Sequence, residues 1–178
     1  MTAILGYADG EHVWMAGDSA VVNGSWRRYS SAEKKVYQRG DILFGVGGRA
    51  QVSQVLRYGF EPPEHNDAVH NEDYVARILV NALRTYLDEN KCPLETDDSS
   101  TAMLFGYHGE LYYMTGDYTV SKPAARSFAI GTGGDLAFGA FHALLKTSVQ
   151  SDQAMLQALE ISAEFNLSVA PPFYVLTL

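Results

Sequence analysis

The chain has 178 residues, 47% apolar and 19% charged, with a formal net charge of −8 and a single cysteine. These values exclude a disordered chain and an internal disulfide framework. The acidic balance argues against non-specific nucleic-acid binding, which needs many Lys and Arg contacts to phosphates. No apolar run is long enough to cross a bilayer, and no basic segment followed by an apolar stretch marks a secretory leader, so a cytoplasmic protein with one domain over residues 1–178 is expected.

In chain order, "TAILGYA" reads as an apolar strand, "DGEH" supplies an Asp-Gly turn, and "VWMAGDSA" returns as its hairpin partner. A polar loop, "NGSWRRYSSAE", precedes "KKVYQ", the turn "RGD" and the apolar strand "ILFGVGG", so two hairpins and four strands are expected before Arg49. The period then changes: Ala50, Val52, Val55 and Leu56 fit a helix that ends near Gly59 and Pro62-Pro63. Residues 60–72 read as a polar connector. "DYVARILVNALRTYLDEN" places Val75, Ile78, Leu79, Ala82, Leu83, Tyr86 and Leu87 on one helical stripe.

"KCPLETDDSS" is an acidic loop, expected to be the most mobile segment. Strands return with "TAMLFGY", the turn "HGE", "LYYMTG" and "YTVSK", followed by "SFAIGTGG". Two helices follow, "DLAFGAFHALLKT" with Asp135 at its start and "SDQAMLQALEISAEF" with Ser151 as a candidate cap. The terminal strand is "FYVLTL". Segregated blocks of strands and helices favour an α+β architecture of two antiparallel sheets face to face, each covered by a helix pair.

Four pieces carry chemistry. Thr2 is a nucleophile candidate if Met1 is removed, because a free α-amino group with a reference pKa of about 7.7–8.0 can take the hydroxyl proton. Without that removal Thr2 is a β-branched strand opener. Asp18 in "AGDSA" is either a turn residue or a carboxylate that orients a buried cation. In "EKKVYQ" neighbouring lysines face opposite ways, so one can point inward and depress a nearby amine while the other stays at a charged edge. "GVGGRA" and "AIGTGGDLA" are glycine turns between strand and helix, with backbone N–H groups suited to an oxyanion. Neither has the spacing of a dinucleotide-binding loop.

Taken together, the order and spacing of Thr2, Asp18, the Lys-Lys-Val triplet and the Gly-Gly turn resemble the proteasome β-subunit family, and most closely its HslV-like bacterial and phage members. The blocks "TAILGYADGEHVWMAGDSA", "KKVYQRGDILFGVGG", "AIGTGGDLAFGAFHALL" and "ALEISAEF" extend that resemblance over nearly the whole chain. It implies the four-layer αββα sandwich of N-terminal nucleophile hydrolases and a threonine-type endopeptidase that needs no cofactor or metal. It also implies a homo-oligomeric ring acting on polypeptides and a possible ATP-dependent unfoldase partner. By the same resemblance Thr2 is the nucleophile, Asp18 holds the lysine, the Gly47 amide contributes to the oxyanion hole, and Thr132 occupies the small hydroxyl position nearby. Lys35 is preferred as the lysine because it precedes Val36; strict counting from Thr2 selects Lys34. Asn166 and Val169 stand where proteasome subunits carry an aspartate and a serine, and HslV-like members also lack that aspartate.

A small-molecule amidase of the same fold and an inactive ring-forming scaffold remain alternatives. Cys92 in its polar loop reads as structural or incidental. His12, His65, His70, His108 and His142 show no zinc-type spacing, and His65 and His70 read as members of a solvated loop.

Overall fold

The structure, a computed structural model, describes residues 2–22, 28–94 and 101–178. Residues 23–27 of the predicted polar loop and 95–100 of the predicted acidic loop lie outside the described residues.

The first hairpin forms as its sequence dictates. Strands β1 (Ile4–Ala8) and β2 (Val13–Gly17) pair antiparallel with Ala8 opposite Val13. The Asp9 carboxylate accepts the Glu11 and His12 amides at 2.9 and 2.8 Å, while Gly10 takes the positive φ of +106° that closes the turn. With β10 (Ser127–Ile130) and β11 (Tyr174–Thr177) they make a four-stranded sheet in the order β10-β1-β2-β11.

The second sheet runs β5-β6-β7-β8-β9: Val36–Arg39, Ile42–Gly47, Ala102–Tyr107, Glu110–Thr115 and Val120–Ser121. A separate ribbon pairs β3 (Ala20–Val22) with β4 (Arg28–Ser30). The first 48 residues therefore hold six strands rather than the expected four. The two additional strands are three residues each, too short to show a period-2 pattern among polar neighbours.

Both sheets contribute side chains to a middle core of Ile4, Val13, Met15, Val36, Leu43, Leu104, Leu111 and Ile130. Glycines let the layers approach closely. A Cβ on Gly45 would sit 2.7 Å from both Ile4 and Met15, and one on Gly106 would sit 2.6 Å from Val13. Outside the second sheet lie α1 (Ala50–Gly59) and α3 (Val80–Glu89), whose Val52, Leu56, Leu83 and Leu87 cover Phe44, Phe105 and Tyr112. On the other side α4 (Gly134–Leu144) and α5 (Ser151–Phe165) bring Ala137, Phe141, Ala154, Met155 and Ala158 onto Leu5 and Ala16. The expected αββα layering is thus observed.

Three local expectations change. A short α2 (Asn71–Asp73) runs through a π-helical segment (Tyr74–Leu79) into α3, so this helix starts before the predicted Asp73. The wider i→i+5 turn shifts the helical phase. Ile78, assigned to the buried stripe, is 37% exposed, and Val80 is buried instead at 4%. Ser151 does not cap α5: Gln150 holds the extended N-cap position, with no side-chain cap bond. His65 is half-buried rather than solvated: Nε2 meets the Val69 carbonyl at 2.8 Å and Nδ1 meets the Tyr107 hydroxyl at 2.6 Å. A carbonyl only accepts, so Nε2 carries the proton and, in the neutral ring, Tyr107 donates to Nδ1. Cys92 is fully buried in the core beneath α3, in keeping with a structural role.

Candidate active site

The hairpin register positions the site. Ile4 lies opposite Gly17, so one step further along the pair Ala3 meets Asp18, whose amide donates to the Ala3 carbonyl at 3.2 Å. That step brings Thr2 to the Asp18 carboxylate, and the Thr2 hydroxyl donates to Oδ1 at 2.8 Å. Asp18 is fully buried. It accepts backbone N–H bonds from Ala3 at 2.9 Å, Ala20 at 2.9 Å and Ala170 at 3.3 Å. Lys35 Nζ completes the set at 2.7 Å from Oδ1. A buried carboxylate is tolerable because all these donors replace the water it has lost.

The structure separates the two lysines. Lys35, just before β5, turns inward to Asp18 with its side chain 16% exposed. Lys34 points the other way, its ammonium 4.7 Å from the centre of the Tyr174 ring. Burial pulls the Lys35 pKa below the usual lysine value, against the opposing pull of the Asp18 carboxylate and their hydrogen bond. The site thus places a hydroxyl, a carboxylate and a partly buried ammonium in direct contact.

The glycine turns enclose Thr2. Gly47, at the end of β6, is buried, and a Cβ there would lie 3.4 Å from the Thr2 methyl. Gly131 has φ +92° and is packed so closely that a Cβ would fall 2.3 Å from the Thr2 carbonyl oxygen. The Gly133 amide donates to that oxygen at 3.0 Å. Thr132 lies in this turn with its side chain exposed. Its carbonyl accepts from Asn166 Nδ2 at 2.8 Å. Val169 is fully buried.

Sequence reasoning overlooked Ser162, whose hydroxyl donates to the Gly133 carbonyl at 2.8 Å, and the amides of Ala20 and Ala170. The clue for Ser162 was a lone serine four residues beyond Ala158 on the apolar face of α5. Backbone amides leave no such mark. Among the described residues no group of three or more His, Cys, Asp or Glu side chains is arranged to hold a metal ion, and no helix is long and apolar enough to cross a membrane.

No family model matches the chain. Solved structures do. Thiobacillus denitrificans BPH in complex with epoxomicin matches at TM-score 0.80 and 18% identity, over 99% of this chain and 98% of that one. Eukaryotic HslV from Trypanosoma brucei matches at TM-score 0.70 and 19% identity, over 99% and 98%. Anbu (ancestral beta-subunit) from Yersinia bercovieri matches at TM-score 0.69 and 18% identity, over 99% and 81%. At these identities the likeness speaks to architecture, and over essentially its whole described length this chain has the fold of the proteasome-like N-terminal nucleophile hydrolases.

Proposed function

We propose that residues 1–178 form one hydrolase domain that, once Met1 is removed, acts as a threonine-type endopeptidase. The observation that supports this reading is the contact of Thr2 Oγ1 with a fully buried Asp18, which Lys35 also reaches. In the mature form the Thr2 α-amine takes the hydroxyl proton as Oγ1 attacks a peptide carbonyl. The nearby Lys35 ammonium depresses that amine and favours its neutral, basic form. The tetrahedral oxyanion is met by the Gly47 amide, with Thr132 at the rim of the site. Collapse breaks the C–N bond, the proton passes to the leaving amine, and water then hydrolyses the Thr2 ester. None of these steps requires a metal or an organic cofactor.

The same reading places the chain in a cytoplasmic homo-oligomeric ring supplied with polypeptide by a separate ATP-driven unfoldase. Phe165 and Leu167, 73% and 85% exposed, leave apolar surface for a second copy.

The test is the mass of the native N-terminus together with hydrolysis of unfolded polypeptide. Loss of Met1, inhibition by epoxomicin and a fall of about a thousandfold in Thr2→Ala are expected. Retained Met1 with no hydrolysis leaves the scaffold reading. Turnover of small amides alone, by a monomer, supports the amidase.

A further inference from the structure

Two clefts border Thr2, and they differ in chemistry. One, of about 660 Å³, is walled chiefly by Ala102, Tyr113, Phe128, Ile130 and the Gly131 turn. The other, of about 190 Å³, is bordered by Lys34, Lys35, Arg49 and Arg57, with Glu33 as its single carboxylate among the described residues. The Lys34 ammonium lies over Tyr174, so Arg49 and Arg57 are the cations left to this cleft among the described residues. Lys35 is engaged by Asp18. Among the described residues Lys34, Arg49 and Arg57 have no carboxylate within 4.0 Å.

Arg57 is the most constrained of the three. Its guanidinium lies over the Tyr37 ring, 4.8 Å from the centroid. Its Nε is buried with no hydrogen-bond partner among the described residues. Stacking uses the flat face of a guanidinium and leaves its in-plane N–H groups for an acceptor. Arg49 donates to the Pro93 carbonyl at 2.8 Å, which fixes it at the rim shared by the two clefts. The Nε lies too deep for a ligand to touch, so a carboxylate entering the cleft would pair with the outer guanidinium N–H groups of this half-buried side chain.

We propose that this cleft receives an acidic side chain, so that the enzyme cleaves after Glu or Asp, with Arg57 as the principal specificity determinant and Arg49 assisting. The inference rests on the peptidase reading, because the attacked carbonyl must sit at Thr2 Oγ1. The side chain nearest that carbonyl then belongs to the residue that carries it, and the cationic cleft opens directly beside Thr2.

Two fluorogenic peptides that differ only in Glu or Gln immediately before the scissile bond test the proposal on the mature wild-type protein. The Glu peptide is expected to have a kcat/KM about tenfold higher at low salt, a ratio that shrinks as salt rises from about 0.02 to about 0.5 M. Arg57→Gln is expected to compress the ratio below about threefold, and Arg57→Lys to restore part of it. Equal rates in wild type, preference for a Lys peptide, or a Glu preference found only after the scissile bond overturns the proposal. A ratio unchanged in Arg57→Gln overturns the role of Arg57, and the salt series on wild type decides should that variant not fold. If wild type hydrolyses neither peptide, the peptidase reading fails separately. Titration of Thr2→Ala protein with the same sequences as C-terminal amides then decides the cleft: tighter Glu binding supports its acidic preference, and equal binding overturns it.

Discussion

Two glycine turns flank Thr2, and each joins a strand to a helix. The turn after β6, Gly48-Arg49, leads into α1; the turn after β10, Gly131-Thr132-Gly133, leads into α4. Their sequences look alike, yet their surroundings differ. The first borders both clefts, with Gly48 exposed at φ +100°. The second is tied down on three sides: Thr2 fills the space where Gly131 lacks a Cβ, Ser162 holds the Gly133 carbonyl, and Asn166 holds the Thr132 carbonyl. One turn faces open clefts and the other holds the backbone of Thr2. A glycine pair between strand and helix therefore marks a place rather than a role.

Substitutions that break this contrast should rank by how tightly each turn is held. Gly131→Ala combines a left-handed backbone with a collision at Thr2, and should cost roughly 3 kcal/mol or more in denaturant unfolding and remove hydrolysis. Ser162→Ala strips a buried hydroxyl from the Gly133 carbonyl and should cost about 1–3 kcal/mol. It should lower kcat more than it raises KM, because Thr2 loosens while the cationic cleft is untouched. Gly48→Ala at the open turn should cost only about 1–2 kcal/mol, from its backbone conformation, and should act mainly on KM. Comparable kinetic signatures for Ser162→Ala and Gly48→Ala would erase the distinction between the turns.

The smallest effect is one of pH. Burial holds the folded Lys35 pKa below its ordinary 10.5, so across that interval the unfolded chain binds more protons than the folded one. Stability attributable to Lys35 therefore rises with pH through this window, whereas hydrolysis falls because the ammonium is lost. The difference in unfolding free energy between wild type and Lys35→Gln, measured across the alkaline range beside kcat/KM, should show these opposite slopes.

Much of this was legible from the residues. Alternating apolar runs and Asp-Gly and Arg-Gly-Asp turns predicted both long hairpins, and hairpin register alone carries Thr2 to Asp18. Lys35 turns to Asp18 and Lys34 away from it, as adjacent residues leading into a strand face opposite ways. What escaped has physical reasons. The β3–β4 ribbon is shorter than the period needed to see it. The π-helical segment exchanges Ile78 for Val80 without altering composition. The amides on Asp18 come from Ala20 and Ala170, whose side chains say nothing about their backbones. The cleft beside Thr2 sets Arg49 and Arg57, at the two ends of α1, against the segment leading into β5, a convergence that only the fold creates.

Asp18 draws its donors from both ends of the chain: the Ala170 amide is 152 positions away, and next to it Ser19 Oγ donates at 2.6 Å to the Pro172 carbonyl, 153 positions away. The carboxylate that positions Thr2 is thus fully satisfied only after the segment leading into β11 has docked. A chain in which that segment is undocked leaves the buried Asp18 carboxylate short of a donor. Docking of this one segment and completion of the Asp18 site are therefore a single event, and loosening either should loosen the other.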